Sequence, residues 1–232
     1  MALDEIRKTK IEKVKKLRKA GINPYPAVSN RTHSISEALA NFEKFIDSKQ
    51  EIVLAGRVMA KREMGGVIFF DIYDGSSKES KIQGLLREDN IGKDKFEQFK
   101  NFIDIGDFIE IKGPLSKTKT GERTLLSTFY LLLSKAILPL PEKWHGLQDI
   151  EERLRKRYLD FIFNPESRDI VEKRAVFWNA VREFHVKNGF LEVETPVLET
   201  TVGGADATPF VTHHGALDMD VYLRISSGEL WQ

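Results

Sequence analysis

The 232-residue chain is 41% hydrophobic and 31% charged, with a mean hydropathy of −0.34. Those proportions describe a soluble globular protein of one or two domains. They exclude a disordered tail and a helical membrane protein, since no apolar run approaches the roughly 20 residues that span a bilayer. The start, MALDEIRKTK, lacks the apolar stretch of a signal peptide, and cysteine is absent. Disulfides, thiolate zinc sites and cysteine nucleophiles are thereby removed, and a cytoplasmic protein is the expectation. Overall, 36 Lys and Arg nearly balance 35 Asp and Glu, a net charge of +1. The first 20 residues differ: eight cations against three acids leave a local +5, suited to a polyanion.

That first segment reads as an amphipathic helix, with Leu3, Ile6, Ile11, Val14 and Leu17 near one side and lysines on the rest. Gly21 closes it and Asn23-Pro24-Tyr25-Pro26 is a stiff exit. A second short helix is predicted over 34–50, capped by Ser34 or Ser36. From Glu51 the period becomes two. Ile52, Leu54, Val58 and Ala60 point one way, and Arg57, Met59 and Lys61 the other. After Met64-Gly65-Gly66, Ile68, Phe70 and Ile72 form an inner face that leaves Phe69, Asp71 and Tyr73 outside. A third strand covers Lys81–Arg87, a helix carries Phe96, Phe99 and Phe102, and strands follow at Phe108–Gly113 and Thr124–Ser134. Lys117 to Gly121 joins those last two as a hairpin tip.

Three strands, a helix and two strands is the order of an OB barrel, which presents its second and third strands to single-stranded nucleic acid. Outward Phe69 and Tyr73 beside Arg57, Lys61 and Arg62 suit base stacking with phosphate contact; packing of these rings under a neighbouring element is the equally weighted alternative. A linker follows with Pro139, Pro141 and the charged run Glu151–Arg157. Asn164-Pro165 then opens a helix of about 24 residues that Gly189 ends, roughly 36 Å long. Strands are predicted at Phe190–Leu198 and Val221–Ile225. The histidines 33, 145, 185, 213 and 214 have no metal spacing, and adjacent His213 and His214 would point to opposite faces of a strand. Phosphate-loop, dinucleotide and serine-hydrolase motifs are absent from the sequence.

The block from Arg174 through Arg182, Phe184 and Gly189-Phe190-Leu191-Glu192-Val193-Glu194-Thr195-Pro196 resembles motif 1 of class II aminoacyl-tRNA synthetases. Three stretches are similar to the lysyl branch. They are Gly21–Pro26, then Pro139–Asp160 with Trp144-His145-Gly146-Leu147-Gln148-Asp149, then Gly203-Gly204-Ala205 with Pro209-Phe210 and His213-His214. The resemblance covers nearly the whole chain. It implies an α+β protein: a helical extension over 1–50, an OB anticodon-binding barrel over 51–138, a linker over 139–164, and an incomplete antiparallel-sheet catalytic domain over 165–232.

The resemblance further implies that Phe69 stacks on a base of the uridine-rich lysine anticodon, with Arg57, Lys61 and Arg62 as cations on the same barrel. Glu229 would receive the lysine α-amino group through a charge-assisted hydrogen bond, and Gly204 would line that pocket. Arg174, Phe177, Arg182 and Pro196 would lie at a homodimer interface. Phe129 stands where many members carry an acid, which removes one acceptor for a base. The implied partners are tRNA(Lys), L-lysine and ATP, with no membrane. The lysine carboxylate attacks the α-phosphate of ATP, pyrophosphate leaves, and the adenylate passes lysine to the tRNA terminal ribose hydroxyl. The arginines that grip ATP and the carboxylates that hold Mg2+ belong to motifs beyond Gln232, so no catalytic residue is expected within the chain. The 232 residues alone are therefore expected to be inactive and poorly soluble, with an exposed apolar sheet face. The alternative is a non-catalytic RNA-binding OB module with a dimerisation helix.

Overall fold

The computed structural model describes residues 3–78, 80–141, 147, 149–201 and 207–226. The chain divides into two compact units, Met1–Pro165 and Glu166–Gln232. In the first, helix α1 (Leu3–Lys19) buries Lys10, Val14 and Leu17. Gly21 ends that segment with a φ of 73°. The single helix predicted over 34–50 is two, α2 (Ile35–Ala40) and α3 (Phe42–Ser48). They break at Asn41, whose N–H still donates to Glu37 O. Ser34 caps α2 in a reciprocal box with Glu37.

Strands β1 (Glu51–Met64), β2 (Val67–Tyr73) and β3 (Lys81–Arg87) form a meander. Helices α4 (Glu88–Ile91) and α5 (Lys93–Phe102) lead to β4 (Phe108–Lys117) and β5 (Arg123–Ser127). The ring closes in the order β1–β2–β3–β5–β4 and back to β1, with β3 and β5 parallel. This is the closed OB barrel. The predicted strand Thr124–Ser134 is interrupted at Thr128, so that β6 (Phe129–Ser134) continues along β4 as a separate segment. Thr128 N and Oγ1 both donate to Lys112 O there, at 2.8 and 3.2 Å. Gly113 permits the crossing, because a Cβ in its place would lie 1.9 Å from Leu126 O. Inside, Ile52, Leu54, Val58, Ile68, Phe70 and Ile72 form the core with Phe96 and Phe99 of α5.

Two short helices, α6 (Ile150–Arg155) and α7 (Arg157–Phe163), finish this unit. The fully buried carboxylate of Asp160 accepts from Arg153 and Arg157 at 2.8 Å each. The second unit holds helix α8 (Pro165–Lys187) and a small sheet of β7 (Leu198–Glu199), β9 (Met219–Leu223) and β8 (Val211–His214) in that order. The strand expected over Phe190–Leu198 is reduced to β7. Residues 190–197 form no ladder with a strand among the described residues, and a strand needs a ladder partner for its backbone groups.

A buried ionic cluster ties three separate segments together. Lys135 Nζ, wholly buried, donates to Asp107 Oδ2 at 2.7 Å, to Phe102 O at 2.7 Å and to Asp104. Lys13 Nζ of α1 reaches Asp104 Oδ1 at 2.6 Å. Asp107 Oδ1 and Oδ2 also accept from the backbone N–H of Ala136 and Asp104. Burial would raise the Asp104 pKa, but the hydrogen bonds from Lys13 and Lys135 outweigh it and hold the carboxyl below its ordinary 3.8. Burial pushes the Asp107 carboxyl the other way.

A depressed carboxylate pKa stabilises the fold above the unfolded value, and that contribution is lost as pH falls through the folded one. Asp104→Asn is therefore expected to be less stable than wild type at pH 6, with the difference shrinking toward pH 3. Urea unfolding midpoints at the two pH values measure it, and a constant difference contradicts the assignment.

Candidate nucleic-acid interface

The phase of β1 decides which of its cations reach solvent. The register shifts between Val58 and Ala60, so that Val58 pairs with Ile72 but Ala60 pairs with Asp71. This bulge at Met59 inserts one residue and reverses the alternation beyond it. Lys61, predicted outward, instead lies opposite core residue Phe70, and Arg62 lies opposite Phe69. The Lys61 ammonium donates to Phe99 O, Lys100 O and Ile103 O at 3.4, 2.6 and 3.0 Å, around the C-terminal end of α5. Burial lowers its pKa, but the partial negative charge of that helix end favours a cation there. Lys61 is thus a helix cap, not a contact on the outer face.

Arg62 is exposed and forms no hydrogen bond or ion pair among the described residues. With Phe69 it lines a groove of about 660 Å³ between the outer face of β2–β3 and the β4–β5 hairpin. The floor is apolar: Phe69, Leu85 and Leu126, where Phe69 pairs with Leu85 and Leu85 with Leu126 across three strands. Gln83 and Thr124 form a polar edge, with Thr124 Oγ1 donating to Gln83 Oε1 at 2.9 Å. Arg62, Arg87, Lys117 and Lys119 surround the floor, with Lys117 paired to Glu43 at 2.6 Å.

The other predicted positions are elsewhere. Arg57 pairs with Tyr73 and Phe108, four residues farther along β2 than Phe69, or about 13 Å. Its half-buried guanidinium stacks 4.2 Å above the Phe108 ring and donates to Gly106 O at 3.2 Å. Asp71, predicted outward, is buried and paired with Lys81 at 3.3 Å. Phe129 sits outside the groove, with the Lys95 ammonium 5.7 Å from its ring. Sequence reading missed Gln83, Arg87 and Lys117 as groove residues. Alternation along β3 from Lys81 was the available signal for Gln83 and Arg87, since it places 81, 83, 85 and 87 on one face.

In the second unit, Arg182 of α8 donates to both Glu192 oxygens at 2.9 and 2.7 Å and to Asn179 at 3.2 Å. Arg224 donates to Pro196 O at 3.2 Å. Arg174 and Phe177 are exposed on α8, and Phe177 stacks edge-on against Trp178. His213 pairs with Asp220 at 3.0 Å, while Nδ1 of His214 accepts from Leu217 N–H. Gly204 and Glu229 lie outside the described residues. Among the described residues no three of His, Asp or Glu converge as metal ligands.

Two family models match separate parts of the chain. Residues 52–133 match the family described as OB-fold nucleic acid binding domain, and residues 149–232 match tRNA synthetases class II (D, K and N). The chain is 48% identical over 221 residues to a lysine–tRNA ligase of Dehalococcoides mccartyi, covering 94% of this chain and 44% of that protein. It is 46% identical to the lysine–tRNA ligase of Carboxydothermus hydrogenoformans, covering 97% and 45%. For that of Roseiflexus castenholzii the identity is 44%, covering 97% and 46%. The chain thus spans under half the length of the curated relatives it matches.

Adjacent Lys61 and Arg62 should behave oppositely on truncation. Lys61→Met removes the charge from three helix-end carbonyls and is expected to cost about 1–3 kcal/mol. Arg62→Met should stay within roughly 0.5 kcal/mol of wild type. Denaturant unfolding separates them, and equal losses would refute the phase reversal at Met59.

Proposed function

We propose that the chain is part of a class II tRNA synthetase of the lysine group, an enzyme that attaches L-lysine to tRNA(Lys) with ATP. Its barrel would bind the anticodon loop. The observation that carries this reading is the groove itself, an aromatic and aliphatic floor rimmed by Arg62, Arg87 and Lys119, with Lys117 paired to Glu43. Stacking on an apolar ring stabilises an unpaired base whatever its edge, and cations at the rim meet the flanking phosphates. Phe69 is the ring for a uridine base, and Arg62 and Arg87 are the rim. Gln83 presents an amide to the Watson–Crick edge of a stacked base. Arg57, stacked on Phe108, would contact the loop only at the far end of β2.

Glu229 and Gly204 remain the proposed lysine-binding positions. ATP is a substrate of the reaction and Mg2+ its expected companion. No described cluster supplies metal ligands, so no step through magnesium is assigned to these residues. The proposed chemistry is attack of the lysine carboxylate on the α-phosphate, release of pyrophosphate and transfer to the tRNA. A homodimer through α8 is proposed because Val176, Phe177, Trp178 and Phe184 are each more than half exposed. Exposed apolar side chains of this size suit a protein partner. No described helix is long and apolar enough to cross a membrane, and the working location proposed is the cytoplasm.

Phe69→Ala should weaken binding of a lysine anticodon stem–loop by about 1–3 kcal/mol. Arg62→Gln should lower affinity similarly for any loop sequence and reduce the salt slope by about 1. Fluorescence anisotropy across a salt series checks both, and unchanged affinity in Phe69→Ala would sink the anticodon assignment.

A further inference from the structure

The structure sorts the basic residues of α1 into two classes. Lys10 and Lys13 turn inward: Lys10 is buried, with Nζ 3.4 Å from Ile105 O, and Lys13 is held by Asp104. With Val14 and Leu17 they fix the rotation of the helix on the barrel. At 100° per residue, Lys8, Lys15 and Lys19 then fall within about 40° of one another and nearly opposite that seam. All three are exposed. They span about 16 Å along the axis, with Lys16 and Arg18 exposed on either side. The carboxylates on this face are Asp4, Glu5 and Glu12, and Glu12 meets Lys15 at 3.6 Å.

From this we infer that the outer stripe of α1 is a second RNA-contacting surface, separate from the groove, which binds sugar–phosphate backbone through Lys8, Lys15 and Lys19 without reading bases. The inference rests on the RNA-binding reading given above. A lipid surface does not fit. An interfacial helix inserts an apolar face, and here Val14 and Leu17 are already buried against the barrel. Phosphates need only exposed cations on a rigid mount, and the Lys13–Asp104 pair supplies the mount. Because the contact is electrostatic, it should act alike on every tRNA and fade with salt.

The test compares four forms of the 232-residue chain: wild type, Lys8→Gln/Lys15→Gln/Lys19→Gln, Lys13→Gln and Phe69→Ala. Glutamine keeps helix propensity close to that of lysine. Each is titrated with tRNA(Lys) and with a tRNA of unrelated anticodon from 50 to 200 mM salt. The triple variant is expected to lower the slope of log affinity against log salt by about 2 to 3 for both tRNAs. Phe69→Ala should weaken binding of tRNA(Lys) and leave the salt slope unchanged. Lys13→Gln should lower the thermal midpoint and leave the slope alone. An unchanged slope in a triple variant of native circular dichroism overturns the second surface and leaves the anticodon reading standing. Equal binding of both tRNAs by wild type, with the slope still reduced in the triple variant, overturns the anticodon reading and supports the surface. Failure of wild type to bind either tRNA overturns both.

Discussion

The buried ammonium of Lys135 is the contact on which the placement of the groove depends. It joins Asp107 and Asp104 at the turn before β4 to the end of β6. The same turn holds β1: Val58 N donates to Asp107 O and Gly106 N donates to Val58 O, both at 2.8 Å. Val58 immediately precedes the bulge at Met59. The ion pair therefore braces the residue at which β1 changes phase, and the phase change sends Lys61 inward and Arg62 to the groove. Removing one member of such a buried pair typically costs about 3–5 kcal/mol, because the other charge is left unpaired. An apolar replacement of both need not weaken the fold, so the pair is best understood as fixing geometry. Through Asp104 and Lys13 it also sets which lysines of α1 face water.

Much of this barrel was legible in the sequence. Alternation in Ile68, Phe70 and Ile72 placed Phe69 outward, and the order of strands and helix was enough for the topology. The error at Lys61 has a plain physical origin: period-two counting carries no information about an inserted residue. Nothing local at Met59 announces a bulge, and the turn that holds the adjacent Val58, Gly106–Asp107, lies about 50 residues away. Lys61 and Arg62 look interchangeable in sequence, yet one caps a helix and the other lines a groove. The lysines of α1 pose the same difficulty. Amphipathic periodicity gave the helix, but only Asp104 and Ile105 distinguish Lys10 and Lys13 from their neighbours.

The second unit reads differently. The apolar side of α8 was evident from Phe177, Trp178 and Phe184, but its rings remain exposed, and the 190–197 segment extends without a ladder. A hydrophobic pattern states that a face is to be buried and does not name the element that buries it. The barrel, by contrast, closes on itself and satisfies its strand edges internally. The unit holding the groove thus carries its own core, while the synthetase-like unit presents surfaces suited to further protein.

We propose that a base of the anticodon loop lies on Phe69. Photo-crosslinking addresses it directly, with a lysine anticodon stem–loop carrying 4-thiouridine at each anticodon uridine in turn. At least one position is expected to attach within 62–69, 83–87 or 117–126, the segments that line the groove. Attachment confined to other segments, or an equal pattern from a loop of unrelated sequence, would contradict the account.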